Sequence, residues 1–341
     1  MRNNVKLCKR FQTSREMVRR ALIIGLDGTR GDILEKAMFQ LQIAPAFKLL
    51  CEKGTHAPCE FIGDHQCCKA HDGPVSGEGF TWVTGPGWCS VITGVNNSKH
   101  LVKDNRLESQ QVFAHTSKFY PTIFKLAKNA NLKTAACGTP CFLSAPKPTG
   151  LMHWGIIDLE CGVGADGIPN VSYLDAKSET LDYRLAHLPA DLKRDYKTEA
   201  FAIQHITHRS ADLIFAHFDT IDSTGHKYGF GYNNEYLNMI HEVDAMTGRL
   251  INCLLAETSN NDDQWLVVVT SDHGGHDNDH DTHLELDSPV PFIVTVIENG
   301  KFSKVNGLTR PVRHFDVAPT VAKWLKLSVT PSQFDGHSQC I

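Results

Sequence analysis

The sequence predicts an α/β protein: three layers, α/β/α, around a mostly parallel central sheet. Two observations carry that expectation. Short apolar runs alternate along the chain with helical stretches, the pattern of a parallel sheet covered on both faces. Three of those runs also end in acidic or His-bearing segments, at Asp27, at Asp219–His226 and at Asp272-His273. Open α/β sheets bind ligands beyond the carboxyl ends of their strands, so side chains far apart in sequence can converge there.

The elements follow in order. Residues 20–28 read as a central strand ending in Asp27-Gly28, and a helix follows, clearest over Pro45–Lys53. Residues 55–80 are rich in Gly, Cys, His and Pro and read as an irregular excursion. Residues 85–95 read as a helix with Pro86 near its first turn, a favoured place for proline. A helix is expected over 119–130 and a strand over 133–138. Residues 139–190 show no clear periodicity and hold many Gly and Pro; long loops in compact domains are often functional, so a lid or cap is expected there. Helix 196–208, strand 212–219, a long amphipathic helix 236–255, strand 289–296 and helix 317–325 complete the chain. No repeat or low-complexity linker divides it. The expectation is a basic extension over 1–19 and one catalytic domain over 20–341, with inserts at about 55–80 and 139–190.

The chain has 341 residues, 41% hydrophobic and 21% charged, with a net charge of −4. That is ordinary for a globular protein and does not suggest a general nucleic-acid or membrane-surface binder. No apolar run approaches the ~20 residues of a membrane span. Eleven cysteines without a CxxC pair or regular spacing point to free thiols rather than a disulfide framework or zinc ribbon. Cys51, Cys59, Cys67 and Cys68, with His56, His65 and His71, match no familiar ligand spacing. The reading is a soluble intracellular, cytoplasmic protein, with the basic N-terminus leaving organelle targeting open.

The richest stretch is Ser271-Asp272-His273-Gly274-Gly275-His276-Asp277-Asn278-Asp279-His280-Asp281-Thr282-His283, directly after the apolar run 265–270. Four histidines in so short a segment at a strand end exceed what a solvated acidic loop requires. Asp and His suit a borderline divalent ion such as zinc. Asp27 and Asp222, taken singly, could serve as caps or turn residues. Their joint placement at strand ends favours a shared site instead, large enough for two adjacent ions. Thr84 stands just before a predicted helix. Free N–H groups and the dipole at a helix N-terminus suit phosphate, and a metal-bound hydroxyl can be a nucleophile. Glycines on both sides of Pro86 suggest room for a ligand near the backbone.

Five motifs in order resemble the alkaline phosphatase superfamily, in its type I phosphodiesterase/nucleotide pyrophosphatase branch. They are Leu26-Asp27-Gly28-Thr29-Arg30-Gly31-Asp32, the Thr84–Gly94 segment, Asp222-Ser223-Thr224-Gly225-His226, Ser271-Asp272-His273-Gly274-Gly275, and Phe315-Asp316-Val317-Ala318-Pro319-Thr320 with Phe334-Asp335-Gly336. The resemblance implies one metal site of Asp27, Thr84, Asp272 and His273. It implies a second of Asp222, His226 and one further His. His280 stands seven residues past His273, where relatives carry His-Gly; His276, His283 and His314 compete for the role. His100 falls where the family has a His. Asn105, 21 residues after Thr84, falls where the family has its phosphate-binding Asn. The C-x-P-x-R motif of the sulfatase branch is absent, and Thr84 occupies the nucleophile position. Gly87 and Trp88 replace residues usual in nucleotide pyrophosphatases.

The implied activity is a metal-dependent phosphoric ester hydrolase of phosphodiesterase or pyrophosphatase type. It would use two divalent ions, zinc or manganese, and a phospho-threonine intermediate on Thr84, on a small-molecule phosphoric ester. A phosphomonoesterase or phosphonate hydrolase on the same scaffold is the enzymatic alternative. A catalytically silent ligand-binding homologue and a metal-stabilised structural protein are the alternatives from other classes.

Overall fold

The central strands are apolar on both faces because both faces are covered. In the computed structural model, which describes residues 17–57, 83–105, 107–137, 188–280, 287–308, 312–330 and 332–339, seven strands form one sheet. They are β1 (Arg19–Leu26), β2 (Thr55–His56), β3 (Thr134–Cys137), β4 (Leu213–Phe218), β5 (Gln264–Thr270), β6 (Phe292–Glu298) and β7 (Lys301–Ser303). The order is β3-β4-β1-β5-β6, with β2 and β7 both paired to β6. β1 pairs in parallel with β4 and β5, and β3 with β4. β6 runs against β5, β2 and β7, so it alone is reversed among the described strands. The mostly parallel sheet is as expected.

Alternation along the strands divides the core in two. Leu22, Ile24, Val267, Val269, Ile214 and Ala216 face helices α1 (Gly31–Phe39), α2 (Pro45–Lys53), α7 (Ala190–Thr207) and α9 (Asn234–Thr258), through residues such as Met38, Phe47, Phe201 and Leu250. Ala21, Ile23, Leu266, Val268, Leu213 and Phe215 face α3 (Thr84–Thr93), α6 (Ile123–Asn129) and α10 (Val317–Trp324), through Trp88, Ile92, Phe124 and Val321. Successive strand residues point to opposite faces, so a single run supplies both interfaces.

Several boundaries differ from expectation. The helix expected over 119–130 begins only at Ile123, because Pro121 precedes it and the Thr122 hydroxyl caps it by accepting the Lys125 N–H at 3.1 Å. Two helices, α1 and α2, follow β1 where one was expected, with Gln42 at φ 57° between them. Short helices α4 (Asn97–His100) and α5 (Leu107–Thr116), and the edge strands β2 and β7, were not read from the sequence. Most of the two expected inserts lies outside the described residues. Cys51, Cys89, Cys137 and Cys253 are free thiols. Among the described residues no helix is long and apolar enough to cross a membrane.

The register places the site. Leu26 of β1 lies opposite Phe218 of β4, and Gly25 opposite Thr270 of β5. The three strands therefore end together, and Asp27, Asp219 and Ser271 leave the same edge of the sheet.

Candidate active site

Asp27 is the first residue beyond β1 and is buried. Its Oδ2 accepts N–H groups from His217 Nε2 at 2.9 Å and Trp88 Nε1 at 3.1 Å. Its Oδ1 has no hydrogen-bond partner and lies 3.5 Å from His273 Nε2. Asp272, beyond β5, accepts the Gly28 N–H on Oδ1 at 3.2 Å. Its Oδ2 also lacks a hydrogen-bond partner and lies 3.3 Å from His273 Nε2. The His273 Nδ1–H donates to the Gly274 carbonyl at 2.7 Å, which leaves the Nε2 lone pair directed at the two carboxylates. Fixing a ring tautomer through the distal nitrogen is how ligating histidines are usually prepared.

Thr84 opens α3, and its Oγ1 sits 3.5 Å from His273 Nε2. The glycines around Pro86 make room for protein and not for ligand. A Cβ at Gly85 would meet Asn105 Oδ1 at 2.7 Å, and one at Gly87 would meet the Asp272 carbonyl at 2.7 Å. Those contacts press α3 against the β5 loop on one side and the Asn105 loop on the other. The Gly85 N–H donates to Asn105 Oδ1 at 2.5 Å, so the exposed Asn105 amide is anchored one residue from Thr84. His100 is buried beneath this junction. It takes the Val102 N–H on Nδ1 at 3.1 Å, so Nε2–H donates to Ser90 Oγ at 2.9 Å. It therefore ties α3 to the segment leading to Asn105.

Asp222 and His226 were expected on a loop. They lie instead on helix α8 (Thr220–Tyr228), one turn apart, where residues i and i+4 share a face. His226 Nε2 is 3.5 Å from Asp222 Oδ2, and His280 Nε2 is 3.8 Å from Asp222 Oδ1. The Nε2 atoms of His226 and His280 are 3.1 Å apart. The His226 Nδ1–H donates to the Asn278 carbonyl at 3.0 Å, which again leaves its Nε2 lone pair toward the cluster. Asp222 Oδ1 is buried without a hydrogen-bond partner. The rings of His273 and His280 stack at 3.8 Å, so the two groups of donors adjoin. Ligand atoms of Asp27, Asp272 and His273 fall within 4.8 Å of one another, as do those of Asp222, His273 and His280. His273 belongs geometrically to both groups, but its shorter contacts to Asp272 and Asp27 place it with them.

Three buried carboxylate oxygens without hydrogen bonds, facing imidazole lone pairs, are costly unless a cation joins them. The electrostatics agree. Burial, then repulsion from Asp27, pushes Asp222 and Asp272 well above the usual carboxylate range. At Asp27 burial pulls the same way, but the His217 hydrogen bond and the charges of His217 and His273 outweigh it and hold the carboxyl at about 2. Burial, then the neighbouring His280, lowers His273 to about 3. The oxygen and nitrogen donors fit zinc or manganese.

Of the competing histidines, His276 donates its Nδ1–H to the buried Asp287 carboxylate at 2.6 Å and belongs to neither donor group. His314 sits in a 3-10 turn against Phe315 and belongs to neither donor group. His283 lies outside the described residues.

A sequence profile described as type I phosphodiesterase / nucleotide pyrophosphatase matches residues 73–327. The chain belongs to that family. It is a hydrolase-family member of the alkaline phosphatase superfamily, whose members use divalent metals. The matched span carries Thr84, Asn105, Asp222, His226, Asp272, His273 and His280; β1 brings Asp27 to them from outside it. Solved structures agree in fold. A 2-O GAG sulfatase superposes with a TM-score of 0.60 at 13% identity, over 94% of this chain and 73% of the other. A putative sulfatase from Bacteroides thetaiotaomicron gives 0.58 at 13% identity, with coverages of 94% and 73%. The phosphonate monoester hydrolase of Agrobacterium radiobacter gives 0.54 at 14% identity, with coverages of 94% and 76%. No curated protein matches the sequence.

Two supporting residues of this family member escaped the sequence reading. His217 interrupts the apolar strand Leu-Ile-Phe-Ala-His-Phe, a polar residue on a strand buried at every position, and that interruption was the available signal. Asp195 belongs to α7 and gave no signal. Its Oδ1 accepts the Asp219 N–H at 2.9 Å, and its Oδ2 accepts the Thr220 N–H at 3.0 Å and the Thr220 hydroxyl at 2.5 Å. It thus caps α8 from another helix. Asp195→Ala leaves those buried donors unmet at about 1–3 kcal/mol. The expected result in chemical denaturation is a loss of that size, with weakened metal binding through Asp222 and His226. Unchanged stability would show that α8 is held some other way.

Proposed function

We propose that this chain is a two-metal hydrolase of phosphoric esters, of phosphodiesterase or pyrophosphatase type, acting through Thr84. The observation that carries the reading is the convergence of three unpartnered, buried carboxylate oxygens with imidazole lone pairs beside the Thr84 hydroxyl. Asp27, Asp272 and His273, with Thr84, would hold one ion; Asp222, His226 and His280 the other. The chemistry such ions supply when bound is Lewis-acid charge, which lowers the pKa of coordinated oxygen and stabilises apical oxygens in an in-line displacement.

The protein's own groups do the rest. The N-terminus of α3 would turn the positive end of its dipole to an incoming anion, while its Gly85 N–H is held by Asn105 Oδ1. Thr84 would give up its hydroxyl proton to solvent, and its Oγ1 would bond to phosphorus as the ester bond to the leaving oxygen breaks and that oxygen takes up a proton from solvent. Water then attacks phosphorus and the P–Oγ1 bond breaks, releasing the phosphoryl product and restoring Thr84. Asn105, anchored through Oδ1 to the Gly85 N–H, would donate its amide N–H to a phosphoryl oxygen. The reading takes residues 20–341 as one catalytic domain, with the inserts at about 55–80 and 139–190 choosing the leaving group.

Elemental analysis of protein prepared without chelator is expected to give two divalent ions per chain. Turnover is then to be assayed on aryl phosphate diesters, monoesters, phosphonates and sulfates with zinc or manganese. Diester hydrolysis that stops on chelation and returns with metal is the expected result. Preference for monoesters or phosphonates would move the assignment within the superfamily. Metal without turnover on any ester would make the chain a ligand-binding homologue. Unfolding on metal removal would favour a structural role for the ions.

Asn105 gives a separate expectation. Preorganised donors aimed at developing charge are commonly worth about 2.7–4 kcal/mol. Asn105→Ala should therefore lower kcat by about 10²–10³-fold while both ions stay bound. Wild-type kinetics in that variant would remove Asn105 from the site.

A further inference from the structure

The first acidic group of the site is held in a way its motif does not announce. Asp27 Oδ2 is saturated by two N–H donors from different elements, His217 of β4 and Trp88 of α3. All three side chains are buried. With Oδ2 so fixed, the carboxylate cannot rotate, and Oδ1 alone faces His273 Nε2. The indole packs edge-on to the His217 ring at 5.0 Å and to Phe215 at 5.3 Å. Its far edge lies on the backbone of β1 at Gly25, where a Cβ would meet Trp88 at 2.6 Å and Phe215 at 2.7 Å. Gly25, Trp88, Phe215 and His217 therefore form one fitted unit behind Asp27. Trp88 also stands four residues after Thr84 on α3, on the same helical face. The helix that carries Thr84 is thus bonded directly to the carboxylate beside it.

We infer that His217 and Trp88 are positioning residues. They clamp Asp27 as a one-oxygen ligand and fix the separation between that ligand and Thr84. This rests on the two-metal reading, with Asp27 as a ligand. Hydrogen-bond partners of metal-ligating groups orient them, and losing one typically weakens metal binding by about 10–100-fold. The clamp predicts an effect of that size on one ion and not on the other, because Asp27 belongs to the donor group of Asp272 and His273 and not to that of Asp222 and His280.

The test uses His217→Phe, Trp88→Phe and His217→Gln. Phenylalanine keeps an aromatic ring in each place and removes the N–H; glutamine at 217 keeps an N–H donor. Metal affinity is read by competition between the full-length protein and a chromophoric chelator for Zn²⁺, with folding checked by circular dichroism. The expected result is two ions in the wild type and one ion bound about 10–100-fold more weakly in each Phe variant. The second ion should be unchanged, and His217→Gln should recover most of the loss. At saturating metal, Trp88→Phe should still show reduced kcat, because the helix that carries Thr84 is no longer bonded to Asp27. Folded Phe variants that bind both ions as tightly as wild type would overturn the clamp, as would a lower melting temperature with no change in affinity. If His217→Phe does not fold, Trp88→Phe decides alone. A wild type that binds no metal overturns the two-metal reading itself, and the clamp with it. Two ions in the wild type and unaffected variants overturn only the clamp.

Discussion

Under the two-metal reading, Thr84→Ala should abolish turnover and leave the fold and both ions in place. The loss should be at least about 10⁴-fold in kcat, since removing a covalent nucleophile commonly costs that much or more; that equals about 5 kcal/mol of transition-state stabilisation. The structure says why the fold survives. Helix α3 is capped at Val83 without any side-chain hydrogen bond, so the Thr84 hydroxyl satisfies no helix N–H. Its nearest polar partner is His273 Nε2 at 3.5 Å. Alanine also favours helix more than threonine. Under the two-metal reading, the ions would keep Asp27, Asp272 and His273 on one side and Asp222, His226 and His280 on the other. Thr84→Ser keeps the attacking oxygen and should retain part of the activity. A wild-type reaction stopped in acid should yield a peptide phosphorylated at Thr84 if breakdown of the intermediate is slow. Full activity in Thr84→Ala would make water the nucleophile and place the chain with plain two-metal hydrolases.

The parts of this protein that were legible in its sequence are those governed by burial. β1, β4 and β5 are mostly apolar on both faces because helices cover both, and Asp27 and Asp272-His273 stand out by ending such runs. Strand direction carries no such mark, so nothing in residues 289–298 announces that β6 is reversed. β2 and β7 have two and three residues, with half-buried or exposed side chains, too short for a period to show. Helix α8 escaped because its start is fixed by tertiary contact. The Asp195 carboxylate from α7 supplies the cap, and the Asp219 side chain makes no cap hydrogen bond. The motif residues were still found, since their identities and spacing do not depend on whether they lie on a loop or a helix. His217 and Trp88 show the converse. Each looks like core packing in one dimension, and only the fold reveals that both N–H groups meet at Asp27. Four histidines near one strand end could not be ranked by sequence, because their roles depend on which carboxylate each one meets.

That ranking yields the second large effect. His280→Ala should lose one of the two ions and, with it, turnover by orders of magnitude. His276→Ala, only four residues away, should keep both ions. His280 Nε2 faces Asp222 Oδ1 at 3.8 Å and the His226 Nε2 at 3.1 Å, so its removal takes one of the three donors that the second ion would have. His276 donates its Nδ1–H to Asp287 at 2.6 Å and lies in neither donor group. The backbone of that same Asp287 accepts the Gly274 N–H at 2.6 Å, so the pair braces the loop that carries His273. Deleting His276 removes a buried, charge-assisted hydrogen bond, worth about 1.5–3 kcal/mol. The variant should melt earlier yet bind two ions once folded. The two variants therefore separate by kind of loss: metal stoichiometry and activity for His280, thermal stability for His276. Added Zn²⁺ should raise the wild-type melting temperature, because binding to the folded state alone contributes about 2.7 kcal/mol at a hundredfold excess over Kd. His280→Ala should show a smaller rise than His276→Ala. If His276→Ala loses an ion and His280→Ala retains both, the second site is built from the other histidine, and the pairing of His276 with Asp287 then orients a ligand instead of bracing a loop.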